Sequence, residues 1–202
     1  MNNADASISF DSPIGYITVE STNEKITRLM MCHRAEEFGK SAVLKEAKKQ
    51  LLSYFAGKLT KFDLPVQLNG TEFQKSVWKQ IAKVGFGKVI TYGEIGAKIG
   101  KPAAARAIGG VVGQNPVPLI VGCHRVLGSN GRITGYSGGN GLVTKWQLLE
   151  LEGIEAAFTR HLAREANGAA GERAGHLRPL LFQRQPHRRV AVRAALDAHR
   201  PS

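Results

Sequence analysis

The sequence predicts an α+β fold: a small N-terminal sheet-and-helix domain over residues 1–68, then a mainly helical C-terminal domain over 69–154 containing a helix-turn-helix. Three observations carry this expectation. Apolar residues alternate around polar turns between positions 8 and 31, then recur at helical spacing between 41 and 84. Two capping signals, Thr71-Glu72-Phe73-Gln74 and Thr91-Tyr92-Gly93-Glu94, mark helix starts. A Gly100-Lys101-Pro102 break separates two short helical stretches.

Taken in order, Ile8 and Phe10, then Ile14, Tyr16-Ile17 and Val19, read as strands around a Ser12-Pro13…Gly15 turn. A third strand, Ile26 to Met31, follows the polar turn Thr22-Asn23-Glu24. Leu44, Ala47, Leu51 and Phe55 give a helix near 41–55, with Lys45, Lys48 and Lys49 outside and Gly57 ending it. A boundary is placed near 66–71. Phe73, Val77, Ile81 and Val84 form one face of the next helix, with Trp78 expected in the core. A short helix runs from Thr91 to Ile99, and another from Ala103 to about Val112, opened by Pro102. Asn115-Pro116-Val117-Pro118 ends it, since proline has no amide hydrogen. Leu119-Ile120-Val121 reads as an apolar strand delivering Gly122-Cys123-His124-Arg125. Asn130-Gly131 predicts a hairpin turn between Val126-Leu127 and Arg132-Ile133. A last helix spans about 143–152, with Leu142, Trp146 and Leu149 inside.

At 43% hydrophobic and 22% charged, the chain can bury a core and is not compositionally disordered as a whole. No apolar run is long enough for a membrane span, and the N-terminus lacks a signal-peptide pattern, so a cytoplasmic protein is expected. Two cysteines exclude a disulfide framework and a multi-cysteine zinc site, and no metal is expected. Cys32 reads as a small apolar residue packed at a strand end. The net charge of +12 suits a polyanion partner. Residues 154–202 hold 9 arginines and no lysine, amid much Ala and Gly. This segment, 155–202, is expected to be a disordered tail. A weak helical signal lies at Val190–Leu196.

Cysteine reacts as the thiolate, which a neighbouring cation or base favours. Cys123 has His124 and Arg125 beside it. His124 helps only if the backbone turns there, because adjacent strand residues point to opposite faces. Alone, the pair also fits an inert cysteine. Upstream, Ala103 to Gly110 is nearly bare of side chains apart from Arg106 and Ile108. That pattern fits tight helix packing, or one long cation entering a narrow groove.

These pieces together resemble the O6-alkylguanine-DNA alkyltransferases, over residues 1–154. The matching run is Asn115-Pro116-Val117-Pro118-Leu119-Ile120-Val121-Gly122-Cys123-His124-Arg125-Val126. It is backed in order by Val89-Ile90-Thr91-Tyr92-Gly93-Glu94-Ile95, Ala105-Arg106-Ala107-Ile108-Gly109, Gly135-Tyr136-Ser137-Gly138-Gly139 and Leu148-Leu149-Glu150-Leu151-Glu152-Gly153.

The resemblance implies irreversible, single-use transfer of an alkyl group from O6-alkylguanine, with O4-alkylthymine a further substrate, onto Cys123. In this scheme His124 is the base through a water, Glu152 orients it, and Asn115 holds the turn. Tyr92 assists the leaving base. Arg106 fills the gap left by the flipped nucleotide, with Thr91, Ala105 and Gly109 also facing DNA. Pro118, Val126, Tyr136, Ser137 and Gly138 line the base pocket. No cofactor is implied. The partner is double-stranded DNA, and a monomer is expected.

The sequence departs from the family in carrying Gly122 where proline usually precedes the cysteine, which predicts a softer loop. The tail is the second departure. Three rival readings are a non-catalytic binder of alkylated DNA, a helix-turn-helix regulator and a cysteine hydrolase. The first would replace the cysteine. The second needs polar base-reading side chains, of which Ala103–Gly110 has few. The third leaves Arg106 without a role.

Overall fold

A computed structural model describes residues 4–154, so the expected tail and its Val190–Leu196 helix lie outside the described residues. Three strands, β1 (Ala6–Phe10), β2 (Ile17–Thr22) and β3 (Lys25–Met31), form an antiparallel meander. Ile8 pairs with Val19, and Val19 with Leu29. The Ser12–Gly15 turn closes through Gly15 N–H to Ser12 O at 3.0 Å, with Gly15 at φ +94°. Helix α1 (Ala42–Phe55) buries Val43, Leu44, Ala47, Leu51, Tyr54 and Phe55 against the sheet. The following linker lies alongside β3: Ile26 N–H donates to Pro65 O and Gln67 N–H to Ile26 O.

Helix α2 (Glu72–Ala82) begins with the expected Thr71/Gln74 capping box. Trp78 is in the core, as expected, and its indole N–H donates to Val111 O at 3.0 Å. A two-residue strand β4 (Ile90–Thr91) leads into α3 (Tyr92–Lys98) through the second capping box, Thr91/Glu94. Gly100, at φ +70°, ends this helical stretch. The expected helix from Ala103 is split: Pro102–Ala104 form a 3₁₀ turn, and α4 runs Ala105–Gly113. One hydrophobic core runs continuously from the sheet through α1, α2 and α4 to Cys123.

Three local expectations are corrected. Leu119–Val121 is not a strand but part of a turn, closed by Val121 N–H to Val117 O at 3.0 Å, with Leu119 at φ +72°. Pro116 and Pro118 deny the segment ladder hydrogen bonds, and the Asn115 side chain ties it into a loop. The Asn130-Gly131 turn forms, with Gly128 N–H donating to Arg132 O at 3.0 Å. However, β5 (Val126–Leu127) pairs in parallel with β4 rather than in a hairpin. Cys32 is exposed rather than packed as a core residue; it holds φ +55°, and its thiol donates to Ile14 O at 3.0 Å. In α5 (Leu142–Leu151) the expected apolar side holds, with Leu142 and Trp146, half-buried, packed against the cluster around Leu149; Thr144, Lys145 and Leu148 are buried as well.

Candidate active site

Cys123 is 5% exposed and opens a one-turn 3₁₀ helix, Cys123–Arg125. The backbone turn that His124 required is therefore present. It is prepared by an inverse γ-turn at Gly122, with φ −69° and ψ 66° and Cys123 N–H donating to Val121 O at 2.7 Å. Asn115 locks the approach: its amide donates to Val121 O at 2.7 Å, and its oxygen accepts from Val117 N–H at 3.1 Å.

Glu152, at the C-terminal cap of α5, is 4% exposed and gathers four donor residues from three parts of the chain. Its Oε1 lies 2.8 Å from His124 Nε2, 2.8 Å from the Tyr54 hydroxyl and 2.9 Å from Arg125 Nη2. Its Oε2 accepts from Arg125 Nε at 2.9 Å and from Gly87 N–H at 3.1 Å. Burial works to raise the Glu152 pKa, but the hydrogen bonds and charges of His124 and Arg125 outweigh it and hold the group at about 2.

The tautomer of His124 follows from this. A carboxylate only accepts, so Nε2 must carry the hydrogen and Nδ1 must present a lone pair. Nδ1 is buried and has no hydrogen-bond partner among the described residues. Burial lowers the His124 pKa, against the opposing pull of Glu152, so the ring is neutral. Burial likewise raises the Cys123 pKa, against the opposing influence of the nearby Asn115 and Tyr136 side chains. At rest the pair is a thiol and a neutral imidazole.

Arg125 is not the acidifying neighbour of the thiol that its position in sequence suggested. Its guanidinium is spent on Glu152 and on Val84 O. The cation whose charge acts on Cys123 is Lys145, which the sequence reading missed. It is fully buried, and burial draws its pKa down to about 8 against the pull of Cys123. Its ammonium donates to Val126 O, Thr134 O and Gly135 O, and lies 5.9 Å from the Tyr136 ring centre.

A cleft of about 290 Å³ opens beside this centre, lined by Tyr92, Gly109, Val112, Gly113, Gly135, Tyr136 and Ser137. It brings together four of the expected residues: Tyr92, Gly109, Tyr136 and Ser137. Tyr136 links cleft to thiol, since its buried hydroxyl faces Cys123. Ser137 Oγ donates to Gly113 O at 2.7 Å. Val112 and Gly113 were missed, although they lie one turn beyond Gly109 on the same helix. Pro118 and Val126 are buried and do not line the cleft. Gly138 packs towards Met31; a Cβ there would clash with Met31 Cε. Arg106 and Ala105 are exposed at the start of α4, and the Thr91 hydroxyl serves as the cap of α3.

A buried thiol next in the chain to an imidazole that a carboxylate orients, near an open cleft, is the set of groups that cysteine nucleophile chemistry uses. Comparison with known proteins narrows this class. Residues 7–68 match the 6-O-methylguanine DNA methyltransferase ribonuclease-like domain, and residues 72–154 match the DNA binding domain of the same family. A methylated-DNA–protein-cysteine methyltransferase of Mycobacterium bovis is 43% identical over 150 residues, covering 71% of this chain and 90% of the relative. One of Methanosarcina acetivorans is 44% identical over 151 residues, covering 71% and 96%. The crystal structure of Mycobacterium tuberculosis OGT in complex with DNA superposes with a TM-score of 0.66 at 42% identity, covering 72% of this chain and 91% of that one. The chain belongs to the 6-O-methylguanine DNA methyltransferase family.

Proposed function

We propose that this chain is a methylated-DNA–protein-cysteine methyltransferase. It repairs O6-alkylguanine in duplex DNA by a single irreversible transfer to Cys123, with O4-alkylthymine a further substrate. The observation that carries the reading is the His124 tautomer: Nε2–H is committed to Glu152, and the bare Nδ1 sits in the turn that carries the thiol.

In the proposed step, the Cys123 proton passes through a water to His124 Nδ1. The sulfur bonds to the alkyl carbon as the bond from that carbon to guanine O6 breaks, and the electron pair returns to the base. Tyr92 hydrogen-bonds a ring nitrogen of the departing guanine. The proton given up by the thiol finally resides on that base. Atoms balance as a thioether and an unmodified guanine, with no cofactor and no regeneration. Asn115 fixes the turn, and Glu152 supports the transient imidazolium.

The pocket assignment comprises Pro118, Val126, Tyr136, Ser137 and Gly138. The cleft supports it for Tyr136 and Ser137. On the DNA side, α3 and α4 act as a helix-turn-helix, with Thr91, Ala105 and Gly109 against the duplex and Arg106 in the space left by the flipped nucleotide. The exposure of Arg106 and the small residues around it support this role. The chain is divided at 68/69, in line with the two matched domains, and acts as a cytoplasmic monomer. Among the described residues, no helix is long and apolar enough to cross a membrane.

The test is to incubate the protein with duplex DNA holding one O6-methylguanine and to measure intact and peptide masses. One added methyl on the Cys123 peptide supports the reading. An unmodified Cys123 in a protein that binds the lesion tightly favours a non-catalytic binder instead.

A further inference from the structure

We infer that Tyr54, from α1 of the N-terminal half, is a positioning residue of the relay: its hydroxyl, on the same Glu152 oxygen that receives the His124 N–H, sets how firmly that oxygen holds the imidazole. The inference rests on the reading of His124 as the base.

The contact is 2.8 Å long and joins residues 98 apart in sequence. Tyr54 is 1% exposed, and its ring is wedged among Phe55, Phe62 and Phe86 at centroid distances of 5.4, 5.3 and 6.1 Å. The hydroxyl is thereby aimed and cannot swing away. Because Glu152 is a carboxylate, Tyr54 donates. Oε1 then serves three donors at 2.8 to 2.9 Å: Tyr54, His124 and Arg125. Donors on one oxygen draw on the same negative charge, so each weakens what the others receive. Tyr54 fixes the carboxylate in place and also restrains how strongly it stabilises an imidazolium.

The groups acting on His124 come from every side of it. They are Glu152 at the end of α5, Lys145 on α5, Arg125 in its own turn, and Tyr54 from α1 through Glu152. Among the side chains that donate to Glu152, only Tyr54 can lose its donor without losing its shape, through Tyr54→Phe.

The experiment compares the full chain, Tyr54→Phe and Phe62→Leu. It reads the His124 Nε2–H proton resonance, assigned by its loss in His124→Gln, and the pH profile of alkyl transfer to Cys123. In Tyr54→Phe the resonance should move downfield as the bond to Glu152 strengthens. The acid limb of the profile should rise by about half a unit to one unit, the size that one modest hydrogen bond supplies. Phe62→Leu, which disturbs the same aromatic packing, should lower Tm and move neither. An unmoved resonance in Tyr54→Phe, or an equal move in Phe62→Leu, overturns the inference. A downfield move in a protein that never alkylates Cys123 would leave the Tyr54–His124 coupling standing and overturn the base assignment instead.

Discussion

The Lys145 ammonium lies 2.6 Å from the Val126 carbonyl oxygen, on a side chain with no solvent exposure. Two further carbonyls, Thr134 at 2.8 Å and Gly135 at 3.3 Å, complete its coordination. One helix residue therefore ties the strand after the cysteine turn to the loop that walls the cleft. Lys145→Met keeps the stem and leaves three inward carbonyls without their donor. The expected cost is about 3 kcal/mol, since each unsatisfied buried acceptor is expensive. Urea denaturation of both proteins measures it. A loss below about 1 kcal/mol would show that the carbonyls find other donors, and the tie would not hold.

Lys145 also shows where sequence reading stops. A lysine beside Trp146 and Gln147 on a short helix reads as solvated, and its partners are backbone carbonyls, which have no sequence signature. Arg125 misled for the same reason: adjacency to Cys123 in the chain says nothing of the carboxylate it reaches 27 residues later. What was legible is local. Both capping boxes, the three strands and the buried Trp78 depend on neighbours a few residues away or on an unambiguous apolar face. The apolar run Leu119–Val121 failed as a strand because the Asn115 side chain, not hydrophobic alternation, decides its path. The block resemblance recovered His124 and Glu152 together, and the fold then supplied their 2.8 Å contact.

Glu152 makes stability depend on acid. Its pKa is held at about 2 in the fold, against an ordinary value of 4.5. In that window the unfolded chain binds more protons, so stability is full above the ordinary value and falls as pH drops towards the folded one. The expected loss from this group alone is about 3 kcal/mol between those limits. Glu152→Gln cannot titrate, so its stability should fall less steeply over the same range. Denaturant melts at steps of pH test this. Parallel slopes for the two proteins would mean that the Glu152 cluster does not govern acid sensitivity.

Gly122 stands where the family resemblance implies proline, and its backbone already suits one: φ is −69°. A Cβ there would meet the Arg125 guanidinium at 3.0 Å from Cζ, Nε and Nη1 alike, face-on. That group is pinned by Glu152 and Val84 O and must give by a few tenths of an ångström. Gly122→Pro gains about 0.5–1 kcal/mol by restricting the unfolded chain. Displacing Arg125 consumes a comparable amount. Tm should stay nearly unchanged, while amide exchange at Cys123–Arg125 slows because the inverse γ-turn is fixed. Faster exchange, or a Tm lowered by more than a few degrees, would mean that Arg125 cannot yield.

Arg106 is the position at which the proposed recognition of DNA can be tested apart from chemistry at the thiol. It is exposed at the start of α4, beyond the cleft residue Gly109 on the same helix, and does not line the cleft. Arg106→Ala should therefore leave Tm within about a degree, as surface substitutions do. If Arg106 holds the space of an extruded nucleotide, its loss raises the cost of flipping, which is a few kcal/mol for a paired base and least for an unpaired one. Transfer from duplex O6-methylguanine should then fall by about tenfold to a hundredfold, while transfer from the free alkylated base is unchanged. Single-turnover rates on the two substrates decide it. An equal fall on both would place Arg106 in the chemical step, and no fall on either would remove it from flipping.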